Sequence, residues 1–370
     1  MPTKFKYVLN PYWEILLIDS SSFIANHMDG VQVKFSNLTE QQSLFVQYLE
    51  ALGAAPFSKG GSIFEVEDEL ENSWPLIDNL LKHNILFPEF KIKNLDRISE
   101  QDFSRFRSYL AWLGQFTNEP FGIDAFFDLR SSKITIVGCG GVGSNIAMML
   151  SASGIGEIHL IDDDIVEPNN LVRQIFYTEN DCHKKTKKTV ALRERINALN
   201  NNTKVTFNTL KISDTNVDKL DIKDSDLVIL TADQPRIKIN RIVNEACYEQ
   251  SVPLIYSFVG SVGPLYIPNK SACFFCLEDY WRRETGKDHD LIVEALQQRT
   301  RAEYPSMVCG PFEIANAIVL EAIALLTGLF LPKTINAILN INGNVGQELT
   351  IIDRSSTCKR CNPVKIKRRP

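Results

Sequence analysis

A chain of 370 residues exceeds one small domain; at about 150 residues per domain it predicts two or three. Forty Lys and Arg against 45 Asp and Glu leave a net charge of −5, which argues against nonspecific nucleic-acid binding, since that needs a basic field. Hydrophobic residues at 44% and charged residues at 23% are soluble-globular values, and they exclude wholesale disorder, collagen and a disulfide miniprotein.

The opening residues MPTKFKYVLNPYWE lack the apolar core and small-residue cleavage site of an export signal, so the cytosol is the expected compartment. Residues 1–90 are expected to form a module of their own. Tyr12 to Ile18 and Gly30 to Phe35 have strand composition, with a polar bend at Asp19 to Ser22 and a turn at Met28-Asp29-Gly30. Thr39 and Gln42 have the spacing of a capping box, opening a helix with Leu44, Phe45, Tyr48, Leu49 and Leu52 on one side. Gly60-Gly61 breaks the chain, a second helix runs from near Trp74 to His83, and the strand Ile85-Leu86-Phe87 closes at Pro88. This order fits a winged-helix module. Residues 91–132 predict a connecting arm with helical pieces.

From Lys133 to the end of the chain, residues 133–370, the pattern becomes α/β. KITIV, EIHLID, DLVILTA and PLIYSFVG are apolar strands, and amphipathic helices are expected at Val142–Ala152, Thr189–Leu199 and Ile237–Tyr248. That alternation predicts a doubly wound, Rossmann-like, mostly parallel sheet. Pro311 to Leu331 is the most apolar long stretch, but Glu313, Asn316 and Glu321 interrupt it, so it reads as a buried or interface helix and no membrane span is expected.

Gly138-Cys139-Gly140-Gly141-Val142-Gly143 directly follows the strand KITIV and opens a helix. Glycines let the backbone approach a phosphate, and the helix N-terminus offers free N–H groups. Asp162 ends the next strand, where it can bind ribose hydroxyls. Alone this says only that a nucleotide binds. The residues that follow do not suit a dehydrogenase: Asn169-Asn170-Leu171-Val172-Arg173-Gln174, then Lys184, Lys185, Lys187 and Lys188, supply positive charge suited to a triphosphate. Asp233 follows the strand DLVILTA, at the carboxyl edge where such sheets bind ligands.

Eight cysteines include two CxxC pairs, Cys273/Cys276 and Cys358/Cys361, with Cys276 and Cys358 82 positions apart. Four thiolates are enough for a closed tetrahedral zinc site with no position left for water, hence a structural one. Cys139, inside the glycine loop, is expected to pack.

The run GCGGVG…LIDDDIVEPNNLVRQ…K…TAD followed by CxxC…CxxC resembles the ThiF/MoeB adenylating enzymes, bacterial relatives of the ubiquitin-activating enzyme, over roughly residues 100–362. The resemblance implies that ATP is held at Gly138, Gly140, Gly141, Gly143, Asp162, Asp164, Asn170 and Gln174. It further implies that Arg173 binds phosphates and that Asp233 holds Mg²⁺. The phosphate lysine is Lys188 by its spacing of 12 residues from Asn200, with Lys184 as the alternative. The family also lends an arginine across a homodimer from an RYxR-like segment. Here that segment is Asp102-Phe103-Ser104-Arg105, so Arg105 matches and the first arginine is lost.

Residues 1–90 resemble the precursor-peptide recognition domains of peptide natural-product enzymes. GPLYIPNKSACFFC is similar to the corresponding stretch in the branch containing the microcin C and pantocin A maturation enzymes. The resemblance implies adenylation of a carboxylate in a precursor peptide of leader and core, followed by ring closure. The alternatives are adenylation for a sulfur carrier or tRNA, or a scaffold without turnover. Cys309 is the only positional candidate for a thioester cysteine, and a packed thiol is the expectation there.

Overall fold

The computed structural model describes residues 5–54, 63–66, 74–89, 92–298, 306–342, 346–358 and 360–361. The expected break at Gly60-Gly61 lies outside them. The chain divides into two compact units, residues 1–127 and 128–370.

The first unit opens with four strands, β1 (Phe5–Leu9), β2 (Trp13–Asp19), β3 (Ser22–His27) and β4 (Gln32–Ser36). Helix α1 (Glu40–Ala54), strand β5 (Ile63–Val66), helix α2 (Trp74–Lys82) and strand β6 (Leu86–Pro88) follow. β2, β3 and β4 form an antiparallel meander, while β1 lies between β5 and β6 in a second antiparallel sheet. Two strands were expected before α1 and four are present. β3 lies between the two expected turns and is short and half polar (SFIANH), which hides its alternation. Asp19 fixes the first hairpin by accepting from Ser21 N at 2.7 Å and from the Ser22 hydroxyl at 2.7 Å.

The capping box at α1 is formed. Thr39 Oγ1 accepts from Gln42 N at 3.2 Å, and Gln42 Oε1 accepts from Thr39 N at 3.0 Å. The apolar side of α1 differs from expectation: Phe45, Val46 and Leu49 are buried, while Leu44 and Tyr48 are exposed. Residues 92–127 belong to the first unit. They carry α3 (Glu100–Gly114), capped by Ser99, and most of α4 (Ile123–Ser131). The Tyr12 hydroxyl donates to Ala111 O, and burial pushes its phenol up to about 12.

The second unit alternates as the sequence predicts. Its first half comprises β7 (Lys133–Val137), α5 (Gly141–Ala152), β8 (Glu157–Ile161), α6 (Glu179–His183), α7 (Lys188–Leu199), β9 (Lys204–Asn208), β10 (Leu227–Leu230), α8 (Lys238–Gln250) and β11 (Leu254–Phe258). Then come β12 (Ser261–Tyr266), α9 (Phe274–Thr285), α10 (His289–Gln298), α11 (Cys309–Thr327), β13 (Ala337–Asn342) and β14 (Gly346–Ile351). The eight-stranded sheet has the order β14-β13-β12-β11-β10-β7-β8-β9. β9 through β11 pair in parallel, and β12, β13 and β14 add an antiparallel wing.

The chain runs outward from β7 to β8 and β9, then returns to β10 on β7's other side. The crevice between the carboxyl ends of β7 and β10 is therefore the topological switch point, where such sheets bind ligands. Among the described residues α11 is the one helix long and apolar enough to cross a membrane. Ile314, Ala315, Ile318 and Ala322 bury it in this unit. Its buried Glu321 accepts from the backbone N of Lys333 and Thr334 at 2.9 Å each, so the charge anchors the turn into β13.

Candidate functional site

The glycine loop leaves β7 at Gly138, whose φ of +101° suits glycine. A Cβ there would lie 2.6 Å from Ala232 N, so the loop lies directly against the segment after β10. Its carbonyls are tied back: Thr231 Oγ1 donates to Gly138 O at 2.7 Å, and the Tyr177 hydroxyl donates to Cys139 O at 2.6 Å. α5 begins after Gly140 with no side-chain cap, leaving its first-turn N–H groups for an anion. Gly140 has room above it, the nearest atom to its would-be Cβ being Gln174 Nε2 at 3.9 Å. Gly143 is different: a Cβ would sit 1.9 Å from Gly138 O. Gly143→Ala is expected to cost at least about 1–3 kcal/mol by overpacking, whereas Gly140→Ala leaves stability nearly unchanged. Equal thermal unfolding of the two variants would refute this packing account.

Asp162 follows β8 and accepts two backbone N–H groups, Cys139 at 2.6 Å and Asp164 at 2.8 Å. Burial pushes its carboxyl above the usual range, with Lys188 pulling back. Burial first, then the Asp162 charge, pushes the Cys139 thiol well up, so it stays protonated and packs.

Lys188 opens α7. Its side chain is 7% exposed and its Nζ lies 2.8 Å from Asp164 Oδ2. Lys187 Nζ donates to Asp163 O at 2.6 Å, while Lys184 and Lys185 are exposed. Of the four lysines, Lys188 is therefore the buried one beside the Asp162–Asp164 turn.

Asn170 is buried and accepts from Glu167 N at 3.1 Å, closing a short 3₁₀ turn. That turn carries Arg173, whose Nη1 donates to Asn169 O at 3.0 Å. Gln174 is buried with its Oε1 unpartnered among the described residues. Arg195 of α7 braces the next stretch, pairing with Asp181 at 2.9 Å and donating to Phe176 O at 3.2 Å. Asp233 is exposed beyond β10. Thus the loop, Asp162, Asp164, Asn170, Arg173, Gln174, Lys188 and Asp233 all belong to the carboxyl-end loops of one sheet. Arg105 belongs to the first unit, on α3, with its guanidinium over the Phe106 ring at 5.4 Å.

Thr231, Tyr177 and Arg195 are supports that the sequence reading missed. They carry no charge pattern or spacing of their own, and only the register of β7 and β10 brings Thr231 to the loop.

The four CxxC cysteines converge. Cys273 and Cys276 begin α9, and their sulfurs lie 3.7 Å from Cys358 and 3.5 Å from Cys361 respectively, all four within 4.8 Å of one another. A disulfide needs about 2.05 Å, whereas a tetrahedron with metal–sulfur bonds of about 2.3 Å has edges near 3.8 Å. Ser355 N points at Cys276 Sγ at 3.3 Å and Cys361 N at Cys358 Sγ at 3.5 Å, donors suited to thiolates. Arg241 grips the buried Glu278 at 2.7 and 3.0 Å, fixing α9 to α8. The donor set could hold a metal ion.

The model of the ThiF family matches residues 115–362. The Sulfur carrier protein ThiS adenylyltransferase of Bacillus subtilis is 32% identical over 163 residues, covering 43% of this chain and 48% of that protein. The Adenylyltransferase and sulfurtransferase UBA4 of Yarrowia lipolytica is 29% identical over 251 residues, 66% of this chain and 59% of its own. The chain thus spans about half the length of the curated relatives it matches. The crystal structure of E. coli MccB with ATP is similar in fold, with a TM-score of 0.67 and 21% identity over 96% of this chain and 99% of that one. PaaA has a TM-score of 0.61 and 20% identity over 77% and 92%. With the switch-point loop, the charged residues around it and a family model covering well over half its length, this chain belongs to the ThiF family.

Proposed function

We propose that this protein is an ATP-dependent adenylyltransferase that activates a carboxylate of a ribosomally made precursor peptide. In the reaction a carboxylate oxygen attacks the α-phosphorus of ATP, the bond to the β-phosphate oxygen breaks, and pyrophosphate leaves. An internal nucleophile of the peptide then attacks the acyl carbon and expels AMP, closing a ring. A carboxylate cannot expel hydroxide at neutral pH, and AMP is a far better leaving group. Asp162 holds the ribose, the N–H groups after Gly140 meet the phosphates, and Arg173 and Lys188 offset the charge that develops. Asp233 would hold Mg²⁺, which supplies further neutralisation of the phosphates. Arg105 would act from a partner subunit in a homodimer. Zinc is the metal we assign to Cys273, Cys276, Cys358 and Cys361, and a cytosolic setting suits four reduced thiols.

The observation that carries the peptide reading is the extent of the fold likeness. It runs over 96% of the chain, including residues before 115 that the family model does not reach. MccB itself has been solved with N-formylated MccA. We assign residues 1–90 to a winged-helix module that binds the leader, with an extended leader adding a strand to an exposed sheet edge.

The test is to supply Mg²⁺, ATP and candidate precursor peptides, including the product of any short reading frame found beside the gene. AMP and pyrophosphate are expected together, and a chain starting at Asp128, where the second unit begins, should still bind ATP but fail on the full precursor. ADP as sole nucleotide product would mean attack at the γ-phosphate and defeat the mechanism. Turnover with a sulfur carrier's Gly-Gly tail or with tRNA, and not with peptide, would shift the function to the alternative suggested by the ThiS adenylyltransferase relative. No turnover with any of them would leave a scaffold.

A further inference from the structure

Ile237 holds a backbone conformation that a β-branched residue rarely adopts. Its φ of +58° and ψ of −47° put it at the centre of a γ-turn, which Lys238 N closes by donating to Arg236 O at 2.5 Å. This is the rare, strained form of the turn, because a Cβ at positive φ crowds the neighbouring carbonyl. Earlier in the same segment, Gln234 Nε2 is buried with no partner among the described residues. A buried amide left unsatisfied is a second cost. Both costs fall in the short stretch that opens with Asp233, directly after β10 at the switch point.

Strain of this kind persists where the surroundings over-determine it, and here both ends of the segment are fixed. On one side Thr231 N and Ala232 N donate to Val137 O at 2.8 and 2.9 Å, and Ala232 lies against Gly138 of the glycine loop. On the other side Ile239 is buried, Lys238 Nζ pairs with Asp214 at 2.6 Å, and the Ile237 side chain packs on the core around α8. Residues 233–237 thus join the support of the glycine loop to the start of α8 and absorb the misfit between them. Asp233 is the exposed end of that stretch.

We propose that residues 233–237 form a latch released by nucleotide: Mg²⁺ and ATP draw Asp233 towards the glycine loop, the γ-turn at Ile237 opens, and the Gln234 amide gains an acceptor that the free protein does not offer. This rests on the adenylation reading and adds a conformational step to it. A ligand shifts a conformer only by binding its two states differently. The free state carries both the strained turn and the orphan amide, so a modest gain at Asp233 is enough to change the balance. Completion of the metal site is thereby tied to arrival of the nucleotide.

Glycine and alanine at position 237 separate backbone from packing, since both remove the isoleucine side chain. Glycine is the better residue at positive φ, and alanine is the better one at an ordinary φ. In the full chain without nucleotide, Ile237→Gly should therefore melt above Ile237→Ala. Saturating Mg²⁺ and α,β-methylene-ATP, which cannot release pyrophosphate, should reverse that order. By calorimetry the analogue should bind Ile237→Gly about tenfold more weakly than Ile237→Ala. Gln234→Leu, which removes the orphan amide, should melt above wild type when free and bind the analogue about three- to tenfold more weakly. The latch is overturned if the free alanine variant melts as high as the glycine variant, if the analogue leaves their order unchanged, if the two bind it equally, or if Gln234→Leu binds it as wild type does. Any of those results beside saturable binding to wild type keeps the adenylation reading. Wild-type protein that binds no ATP analogue defeats the adenylation reading, and the latch with it.

Discussion

Replacing Cys358 and Cys361 together with serine is expected to abolish zinc binding and to unfold the end of the second unit. Wild-type protein should contain about one zinc per chain by elemental analysis, and the double variant less than about a tenth of that. Binding of a structural zinc is worth on the order of 10 kcal/mol in small zinc-dependent modules, and much of it is folding energy. Here the ligands at 358 and 361 follow β14, which among the described residues pairs only with β13 and is exposed on nearly every residue. Among the described residues beyond Ile351, buried Ile352, the cysteines, the Arg354 bond to Asn269 O, the Thr357 bond to Asp279 and the Arg360–Glu245 ion pair are the ties. Loss of the thiolates removes the strongest of these ties, so the melting temperature should fall by many degrees. Chelation of the wild type should reproduce the effect. Cys182→Ser, a change at a cysteine of α6 with no role in the cluster, should retain full zinc. Full metal retention in the double variant would refute the four-thiolate site.

The features legible in the sequence are those carried by local chemistry. The glycine loop could be read because a short apolar strand, Lys133–Val137, ends on it and a helix starts from it. The capping box at Thr39 depends on a spacing of three residues and forms as read. The CxxC pairs announce themselves by spacing, though only folding shows that four sulfurs meet.

What was hidden depends on long-range register or on residues that break the usual pattern. β12 contains Gly263-Pro264, a pair that normally marks a turn; both residues fall where the pairing with β11 shifts register and outside the described pairing with β13 at Ser261 and Val262. β14 has no buried face to impose alternation. The lysine cluster offered four candidates of equal charge. Lys188 separates from the rest only because the bridge between Ile165 and Lys187 turns it inward onto Asp164.

Arg173→Ala is expected to lower kcat for pyrophosphate release by about 30- to 1,000-fold, the equivalent of ~2–4 kcal/mol by comparison with loss of one oxyanion donor. The side chain is half-exposed, and its one described bond is to a backbone carbonyl, Asn169 O. Its removal should therefore leave stability within about 0.5 kcal/mol of wild type, and the loss would be chemical. Arg173→Lys should recover only part of the rate, because an ammonium cannot offer two parallel N–H groups to a phosphate. Lys188→Met provides the contrast. That lysine is buried against Asp164 and offsets the burial of Asp162, so its loss leaves carboxylates uncompensated and should lower both the rate and the melting temperature. The two variants together separate a residue that serves the phosphates from one that also holds the site together. A kcat within threefold of wild type for Arg173→Ala, at saturating ATP, would remove Arg173 from the phosphate site.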